Sequence, residues 1–525
     1  MKAARESSQG RRATVGTPSS RKYSPPRFVT HSTWPATKTP SGKVLFPEGC
    51  RVPECPNKNC KLTSHRLYDP SALRHVANRL VVKRVESPEA PIGREGVDGI
   101  PQLPIDDALD SQFRALFHHF FDSVFDRLAD IFRGPLLVPG YKTRMLGVAL
   151  SNRAYCMGLI TQAHTDMALS RGAFQETRDS LELYTRLIAI FRTQLAASTG
   201  QGRPDPMHIE LALLVLCILL SYNVTRGRLS ELRMNWAALQ HLVSLRGGVH
   251  YLTVSLAYVV HVDRLCATTS GVLPTYMSSG GRLRLFNRPP WSKYSPGFSR
   301  LETSHKLAVD VPIREQCLST CELLALYDAF HSPKGKTRQS PLSPPPSPEY
   351  LYYLRDQVDE QFAILYARTL RQDTPSRCIL LATRIVEYPV TWANYVPTMT
   401  MDLCGELCGM LRRQDLFECW SDSLDILSWV LFVMLASPWP FEGREWAVMH
   451  LRGIIGAKYG VAAWPEEWRA EELRNLLAYA WNERHFASRL EQVFRELEMS
   501  TSGSVSKGGQ TSAPSTSITL VKAEI

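Results

Sequence analysis

The sequence predicts an all-α protein with one large multi-helix body between polar tails. Apolar residues recur at i, i+3 and i+4 spacing over most of residues 101–498, which is typical of amphipathic helices. No stretch alternates apolar and polar residues as a β-strand does. The chain is 44% hydrophobic and 21% charged, so it has ample material for a globular core.

Residues 1–100 form a basic arm without sustained periodicity, and we expect this arm to be disordered. It holds 18 of the 61 Lys and Arg residues but 8 of the 50 Asp and Glu residues, a net charge of +10. The remaining chain carries +1 of the +11 total. Such an arm suits nucleic acid or another polyanion, and a solvated tail that binds nothing specific has the same composition.

The first helices of the body follow from apolar spacing. A wide apolar stripe from Phe113 to Phe125 predicts a helix in the segment that starts near Pro104. Further helices are predicted over residues 143–170, 174–195 and 206–223. The helix at 206–223 is apolar almost all round, so we expect it in the centre of the core.

The second half of the body continues the helical pattern after two breaks. Residues 277–312 are expected to be irregular, and a helix is predicted near 315–330. The prolines of residues 332–348 favour an extended linker or excursion. Helices resume at Tyr350 and continue to a Ser/Thr/Gly-rich tail, residues 499–525, which we expect to be disordered.

Cysteines and apolar runs indicate a soluble protein in a reducing compartment. Twelve cysteines in 525 residues are too sparse for a disulfide framework. Several lie in apolar helical stretches and are interpreted as reduced core residues: Cys156, Cys217, Cys266 and Cys408. The N-terminus has no apolar signal core. The longest apolar runs, Leu211–Leu220 and Ile426–Ala436, fall short of the ~20 residues of a membrane span and are expected to be buried helices.

The most informative stretch runs from Trp236 to Leu252, W-A-A-L-Q-H-L-V-S-L-R-G-G-V-H-Y-L. Apolar residues at helical spacing precede Arg246, and Gly247 and Gly248 then stop the helix. Glycine takes the left-handed turn at a helix C-terminus without steric cost.

A second apolar helix is predicted to follow at once, and it includes Leu252 and Leu256. Asp263 lies in this helix among Val259, Val260, Val262 and Leu265. An unpaired carboxylate would be costly there, so we expect Asp263 to pair with Arg246 or to cap a nearby helix. Both roles are structural.

The segment resembles the middle helices of the fungal-specific transcription factor domain. The matching residues are His241, Leu242, Leu245, Arg246, Gly247, Gly248, Asp263 and Pro274. The stretch Leu424–Met434 looks like the apolar L-L-W-x-L-F helix of that family, and Leu103, Pro104 and Ile105 resemble the L-P-I that opens its domain. Further likenesses are Arg444, Glu445, Trp446, Trp464, Trp468, Leu476, Leu477 and Trp481. The resemblance covers roughly residues 100–498.

The resemblance implies a transcriptional regulator in a fungal nucleus that controls pathway genes, with no catalytic activity and no cofactor. Its helical domain would serve effector response, self-association or partner binding. Family members usually also carry a zinc binuclear cluster with six cysteines, which binds DNA. This chain has only Cys50, Cys55 and Cys60 before residue 100, and no CxxC, so that cluster cannot form. DNA would then be reached through a partner, through the basic arm, or by modulating a relative that has the cluster.

Two metal hypotheses come from short motifs. Cys50, Cys55, Cys60 and His65 are spaced evenly as C-x4-C-x4-C-x4-H, and three thiolates with one imidazole suit a single tetrahedral zinc. Three free cysteines in a flexible arm are the alternative.

Asp106, Asp107 and Asp110 spell D-D-x-x-D, which resembles the magnesium motif of class I terpene cyclases. The second ligand set of those enzymes matches here only at Asn223 and Glu231. The aspartates also suit the first turn of a helix, where carboxylates accept hydrogen bonds from free N–H groups, and we favour this interpretation.

No other catalytic motif is present in the sequence. It lacks G-x-S-x-G, a P-loop, a dinucleotide fingerprint and H-E-x-x-H. His118 and His119 flank a phenylalanine stripe and are interpreted as ordinary helix residues. Three hypotheses remain: a transcriptional regulator, which is favoured; a helical interaction scaffold with no role on DNA; and a cyclase-like enzyme.

Overall fold

The fold is described from a computed structural model of the chain. The structure describes residues 37–38, 44–45, 103, 110–125, 141–199, 205–252, 255–277, 295–300, 307, 309–331, 348–391, 397–437, 439–460 and 467–502. The predictions for the basic arm, the Cys50–His65 zinc site, Asp106 and Asp107, the 332–347 excursion and the tail beyond Ser502 lie almost entirely outside these ranges.

The described body is α-helical, which confirms the predicted fold class. Its first helices are α1 (Asp110–His119), α2 (Tyr141–Ser151), α3 (Arg153–Ser170), α4 (Arg178–Thr199), α5 (Pro206–Thr225), α6 (Leu229–Leu245), α7 (Leu256–Ser270) and α8 (Pro296–Arg300). The later helices are α9 (Val311–His331), α10 (Pro348–Thr369), α11 (Pro375–Thr391), α12 (Pro397–Arg413), α13 (Leu416–Trp420), α14 (Leu424–Ala436), α15 (Arg444–Tyr459), α16 (Trp468–Ala478) and α17 (Glu483–Ser502). Two two-residue strands in the arm, β1 (Thr37–Lys38) and β2 (Val44–Leu45), pair antiparallel.

Several predicted boundaries were wrong for local reasons. The helix expected at 143–170 is two helices, because Asn152 takes an extended conformation and its side chain accepts the Tyr155 N–H at 2.8 Å, which caps α3. The described part of the first helix starts at Asp110, and residues 104–109, where that helix was predicted to begin, lie outside the described ranges. A short helix, α8, lies inside the region expected to be irregular. Helix α17 continues to Ser502, past the predicted start of the tail.

Helix α5 lies at the centre of the body, as its composition predicts. Asp205 caps it by accepting the Met207 N–H at 3.1 Å, and Pro206 occupies its first turn. It packs against α3, α4, α6, α7 and α12. One contiguous core cluster extends from Leu103 to Leu497 and includes most of α5.

Helix α14 is the second all-round apolar helix, and each of its residues from Ile426 to Ala436 is buried. The segments Pro206–Thr225 and Glu418–Ala436 are long and apolar enough to cross a membrane by length and composition. In each of them 72% of the apolar window is buried inside the protein. The sequence prediction that both are buried helices is therefore confirmed.

The cysteines of the described body are free thiols, and all but Cys419 are buried. Burial raises the pKa of Cys156 and of Cys378 to about 12. A buried thiol with a raised pKa is a poor nucleophile, so these side chains serve as small apolar core residues.

Candidate functional site

The end of α6 forms the glycine stop that the sequence predicts. Gly247 and Gly248 have φ values of +100° and +106°. The Gly248 N–H donates to the Val243 carbonyl at 2.8 Å, and the Gly247 N–H donates to the Ser244 carbonyl at 2.9 Å. These two bonds are those of a Schellman motif, which satisfies carbonyls at the helix end.

The chain does not enter the next helix at once, contrary to the prediction. A single 3-10 turn, Val249–Tyr251, follows the glycines, and Leu252 then takes an extended conformation with its side chain buried. Helix α7 begins only at Leu256. After this turn, α7 packs against both α5 and α6.

Asp263 is fully buried, and its carboxylate accepts hydrogen bonds from α6 and from the loop after α7. The indole Nε1 of Trp236 donates to one carboxylate oxygen at 2.8 Å, and the Tyr276 backbone N–H donates to the other at 2.8 Å. Burial raises the pKa of Asp263, and the hydrogen bonds from Tyr276, Trp236 and Thr275 oppose that shift. Asp263 thereby links α7 both to α6 and to the loop that follows α7.

The predicted ion pair between Asp263 and Arg246 was wrong, and among the helices that the structure describes Asp263 caps none at its N-terminus. Arg246 instead lies 3.7 Å, from Nε to Oε1, from the carboxylate of Glu210 in α5. The other Glu210 oxygen accepts the Ser255 N–H at 3.0 Å and the Ser255 hydroxyl at 2.7 Å. Glu210 is 1% exposed, and its carboxylate contacts residues at both ends of the turn between α6 and α7.

We name the group of Glu210, Trp236, Arg246, Ser255 and Asp263 the joint. It connects α5, α6 and α7 through buried carboxylates, and its role is structural. The sequence located Arg246 and Asp263 but not their partners, because Glu210 and Trp236 reach them only through helix packing.

Beside the joint lies a buried layer of charges that the sequence analysis did not identify. Arg264 Nη1 pairs with Asp356, and its Nη2 lies 2.8 Å from Glu360. On the other side of the layer, Arg384 contacts Asp359 and Glu387, each at 2.6 Å. The layer joins α7, α10 and α11.

The pKa values in this layer follow from burial and from the arginines. Burial by itself raises the pKa of Asp359, but Arg384 and Arg264 more than offset it and hold that pKa below its ordinary value. Burial lowers the pKa of His261, which lies 4.0 Å from Asp359, to about 4. Asp359 is therefore a charged carboxylate and His261 a neutral imidazole at neutral pH, whereas burial raises the pKa of Glu387.

A half-open cavity of about 460 Å³ lies between α1, α3 and the start of α4. Its apolar lining residues are Ala115, Leu116, Met167, Ala168 and Ala173. Its polar lining residues are Gln112, His119, His164, Arg171, Thr177 and Asp179. We name this space the α1–α3 cavity.

Two histidines line the α1–α3 cavity. His119 Nε2 lies 3.0 Å from the Asp166 carboxylate, and the chain turns into a π-helical segment, Phe120–Val124, directly after it. The Nδ1 of His164 is buried and has no hydrogen-bond partner in the described part of the chain. Burial lowers the pKa of His164; Asp179 opposes this shift, and Arg226 and Arg171 add to it.

Sequence reasoning treated His119 as an ordinary helix residue and therefore missed this cavity. His119 and Asp166 are 47 positions apart, and no spacing rule connects them. They meet because the apolar face of α1 packs on α3.

The residues of the cyclase hypothesis do not assemble in the described ranges. Asn223 is fully buried and accepts the Tyr184 hydroxyl at 2.8 Å, whereas Glu231 is partly exposed and lies 3.4 Å from Arg228. Among the described residues, no group of three His, Cys, Asp or Glu side chains has the arrangement of a metal site.

No protein-family model, curated protein or solved structure matches this chain.

Proposed function

We propose that the protein is a transcriptional regulator whose all-α body is a regulatory domain, acting in a fungal nucleus on genes of a metabolic or biosynthetic pathway. One observation carries the proposal. The motif of Trp236, Arg246-Gly247-Gly248 and Asp263, which resembles the transcription factor domain, forms a defined joint between α5, α6 and α7. The C-terminal stretches that resemble the same domain contribute to that core, including the fully buried Trp429.

The distribution of charge supports a division between DNA contact and regulation. The arm of residues 1–100 carries a net charge of +10, and the remaining chain carries +1. If the arm itself contacts DNA, it binds phosphates, and the affinity falls steeply with salt and depends little on base sequence. If a partner provides the contact, the arm is dispensable.

Chromatin occupancy in the native host tests the proposal. The tagged full-length protein and a 101–525 truncation are compared by chromatin immunoprecipitation under conditions in which both are expressed. We expect discrete promoter peaks for the full-length protein. Peaks that persist in the truncation assign DNA contact to a partner. No enrichment for either protein contradicts the proposal.

A measurement in solution separates the two routes to DNA. A variant with Arg5, Arg11, Arg12 and Arg21 changed to Gln is compared with a control that carries Arg233, Arg371, Arg489 and Arg495 changed to Gln. The control removes the same charge from exposed positions of the body. If the arm binds DNA, only the first variant weakens duplex binding and lowers its salt dependence, by up to about one unit of slope per phosphate contact. Equal losses in both variants would exclude the arm model.

An interaction scaffold with no role on DNA is the second candidate, and exposed apolar side chains favour it. Met234, Leu245 and Tyr251, on α6 and the turn after it, are 64%, 51% and 59% exposed. Where such side chains form one contiguous surface, they are typical of sites for protein partners or self-association. Stable protein partners together with an absence of promoter peaks would favour the scaffold.

A further inference from the structure

We propose that the α1–α3 cavity is a binding site for a small organic acid: the apolar part of the ligand lies against α1 and α3, and its carboxylate meets Arg171 and His164. This inference does not depend on a role in transcription. A regulator, a scaffold or an enzyme is equally able to carry such a site.

The size and lining of the cavity suit a small molecule. Its volume of about 460 Å³ lies within the range of about 300–1,000 Å³ that is usual for small-molecule sites. Ala115, Leu116, Met167 and Ala168 form an apolar wall, and the polar lining residues include two histidines and one arginine. An apolar wall with a few polar groups is the usual composition of a ligand site.

The unpartnered polar atoms beside the cavity suit a ligand that accepts hydrogen bonds. Arg226 Nη1 donates to the carbonyls of the segment that borders the cavity, including Ala173 at 3.1 Å and Phe174 at 2.8 Å. Its Nε and Nη2 atoms are buried and have no hydrogen-bond partner in the described chain, as is also true of His164 Nδ1. A guanidinium can only donate, so an anion or another acceptor nearby lowers the cost of burying it.

The charges around the cavity favour an acid over an amine. Arg171 lines the cavity, and Arg226 acts on the same imidazole of His164. The acidic lining residue is Asp179, while Asp166 is already engaged by His119. An ammonium ligand would face Arg171 in the lining, whereas a carboxylate can pair with Arg171 and accept a hydrogen bond from His164.

The His119–Asp166 contact supports a preformed polar wall. The carboxylate holds one ring nitrogen of His119, which fixes the imidazole at the point where α1 becomes π-helical. Segments of π-helix within α-helices are frequently found at functional sites. A wall held in this way loses little freedom when a ligand binds.

Binding of an acid should take up a proton at His164. The charged groups that act on His164 are Asp179 from α4, Arg171 at the end of α3 and Arg226 at the end of α5. Without a ligand, burial keeps the imidazole neutral, and a bound carboxylate favours its protonated form. The affinity for an acid should therefore rise as the pH falls below 7, by at most about tenfold per pH unit.

Fluorine NMR with the full-length chain tests the site directly. The probe is fluoronaphthoate, and the matched neutral probe is fluoronaphthyl methanol. We expect fluoronaphthoate to bind at least fivefold more tightly than the alcohol, and its affinity to increase from pH 7.5 to pH 6. Arg171→Gln and His164→Gln should each weaken binding of the acid at least fivefold and leave the alcohol unchanged.

Ala115→Trp tests the position of the site. Ala115 is exposed and lines the cavity, so the indole fills the space without disturbing the core, and binding of both probes should be lost. The matched controls are Ala237→Trp and Arg233→Gln, which change exposed residues of α6 and should leave binding intact. Circular dichroism confirms that each variant is folded.

The proposal is overturned if fluoronaphthoate, phenylacetate and cyclohexanecarboxylate all fail to bind the full-length chain. Binding that survives Ala115→Trp also overturns it, because the acid then binds elsewhere. If Ala115→Trp does not fold, Arg171→Gln provides the test instead. Unchanged binding of the acid to that variant also overturns the proposal. Equal affinities for the acid and the alcohol contradict recognition of the carboxylate.

Discussion

The indole of Trp236 donates a hydrogen bond of 2.8 Å to the carboxylate of Asp263, which has no exposed surface. The two residues belong to α6 and α7 and are 27 positions apart. Arg246 pairs with Glu210 instead, so the two charged residues of the motif serve different contacts of the same joint. The following predictions test the joint and the neighbouring charge layer.

A double-mutant cycle measures the Trp236–Asp263 contact. Trp236→Phe and Asp263→Ala should show a coupling free energy of about 1.5–3 kcal/mol, since the hydrogen bond has a charged acceptor in a buried site. Arg246→Gln and Asp263→Ala should be additive within about 0.5 kcal/mol because these side chains are not paired. Urea unfolding of the wild type, the three single variants and the two double variants provides the measurement. Strong coupling between Arg246 and Asp263 would contradict the joint.

Gly248→Ala should destabilise the protein by about 1–2 kcal/mol. Its φ of +106° is unfavourable for a residue with a Cβ, although a Cβ there meets no atom within 4 Å. Gly453→Ala is the matched control, since Gly453 lies inside α15 with the same free space. It should be neutral or stabilising by up to about 1 kcal/mol, because alanine favours helix. Thermal unfolding of both variants separates backbone strain from packing.

Removing one charged side chain from the buried layer should strongly lower the free energy of unfolding. Arg384→Met leaves Asp359 and Glu387 without their nearest cation, and both are less than 5% exposed. We expect a loss of about 3–5 kcal/mol in the free energy of unfolding. Asp373→Asn is the control: its pair with Arg413 is largely exposed, so little change is expected. Similar stabilities for the two variants would show that the layer is solvated.

His261 should make the protein less stable as the pH falls from 6.5 to 4. Burial lowers its pKa from 6.5 to about 4, so the unfolded chain binds a proton in this window and the folded chain does not. Stability is therefore present above the unfolded value and is lost as the pH falls, by at most about 3 kcal/mol. The test compares unfolding of the wild type and His261→Gln at several pH values.

The wild type and His261→Gln share all other titratable groups, so the contributions of those groups to the pH dependence of stability largely cancel. The stability of His261→Gln should fall less steeply with acid than that of the wild type. His241→Gln, an exposed change on α6, should follow the wild-type curve. If His261→Gln follows it too, His261 is not buried as a neutral imidazole.

The sequence predicted those helices and helix ends that are determined by residues close together in the chain. The apolar composition of α5 and α14 predicted their burial, since a helix that is apolar all round is stable only inside a core. Gly247 and Gly248 predicted the end of α6 because positive φ is a property of the residue itself. The break at Asn152 was missed, although an asparagine cap is also a local signal.

The sequence by itself determined that the body is all-α and that Asp263 has to be satisfied inside it. Both results follow from periodicity and from the cost of an unpaired buried charge. Only the tertiary structure decided which groups satisfy Asp263 and Arg246, and that His119 reaches Asp166 beside a cavity. These partners lie on different helices, and side chains on different helices meet only where packing brings the helices together. The spacing of residues along the chain does not indicate how the helices pack.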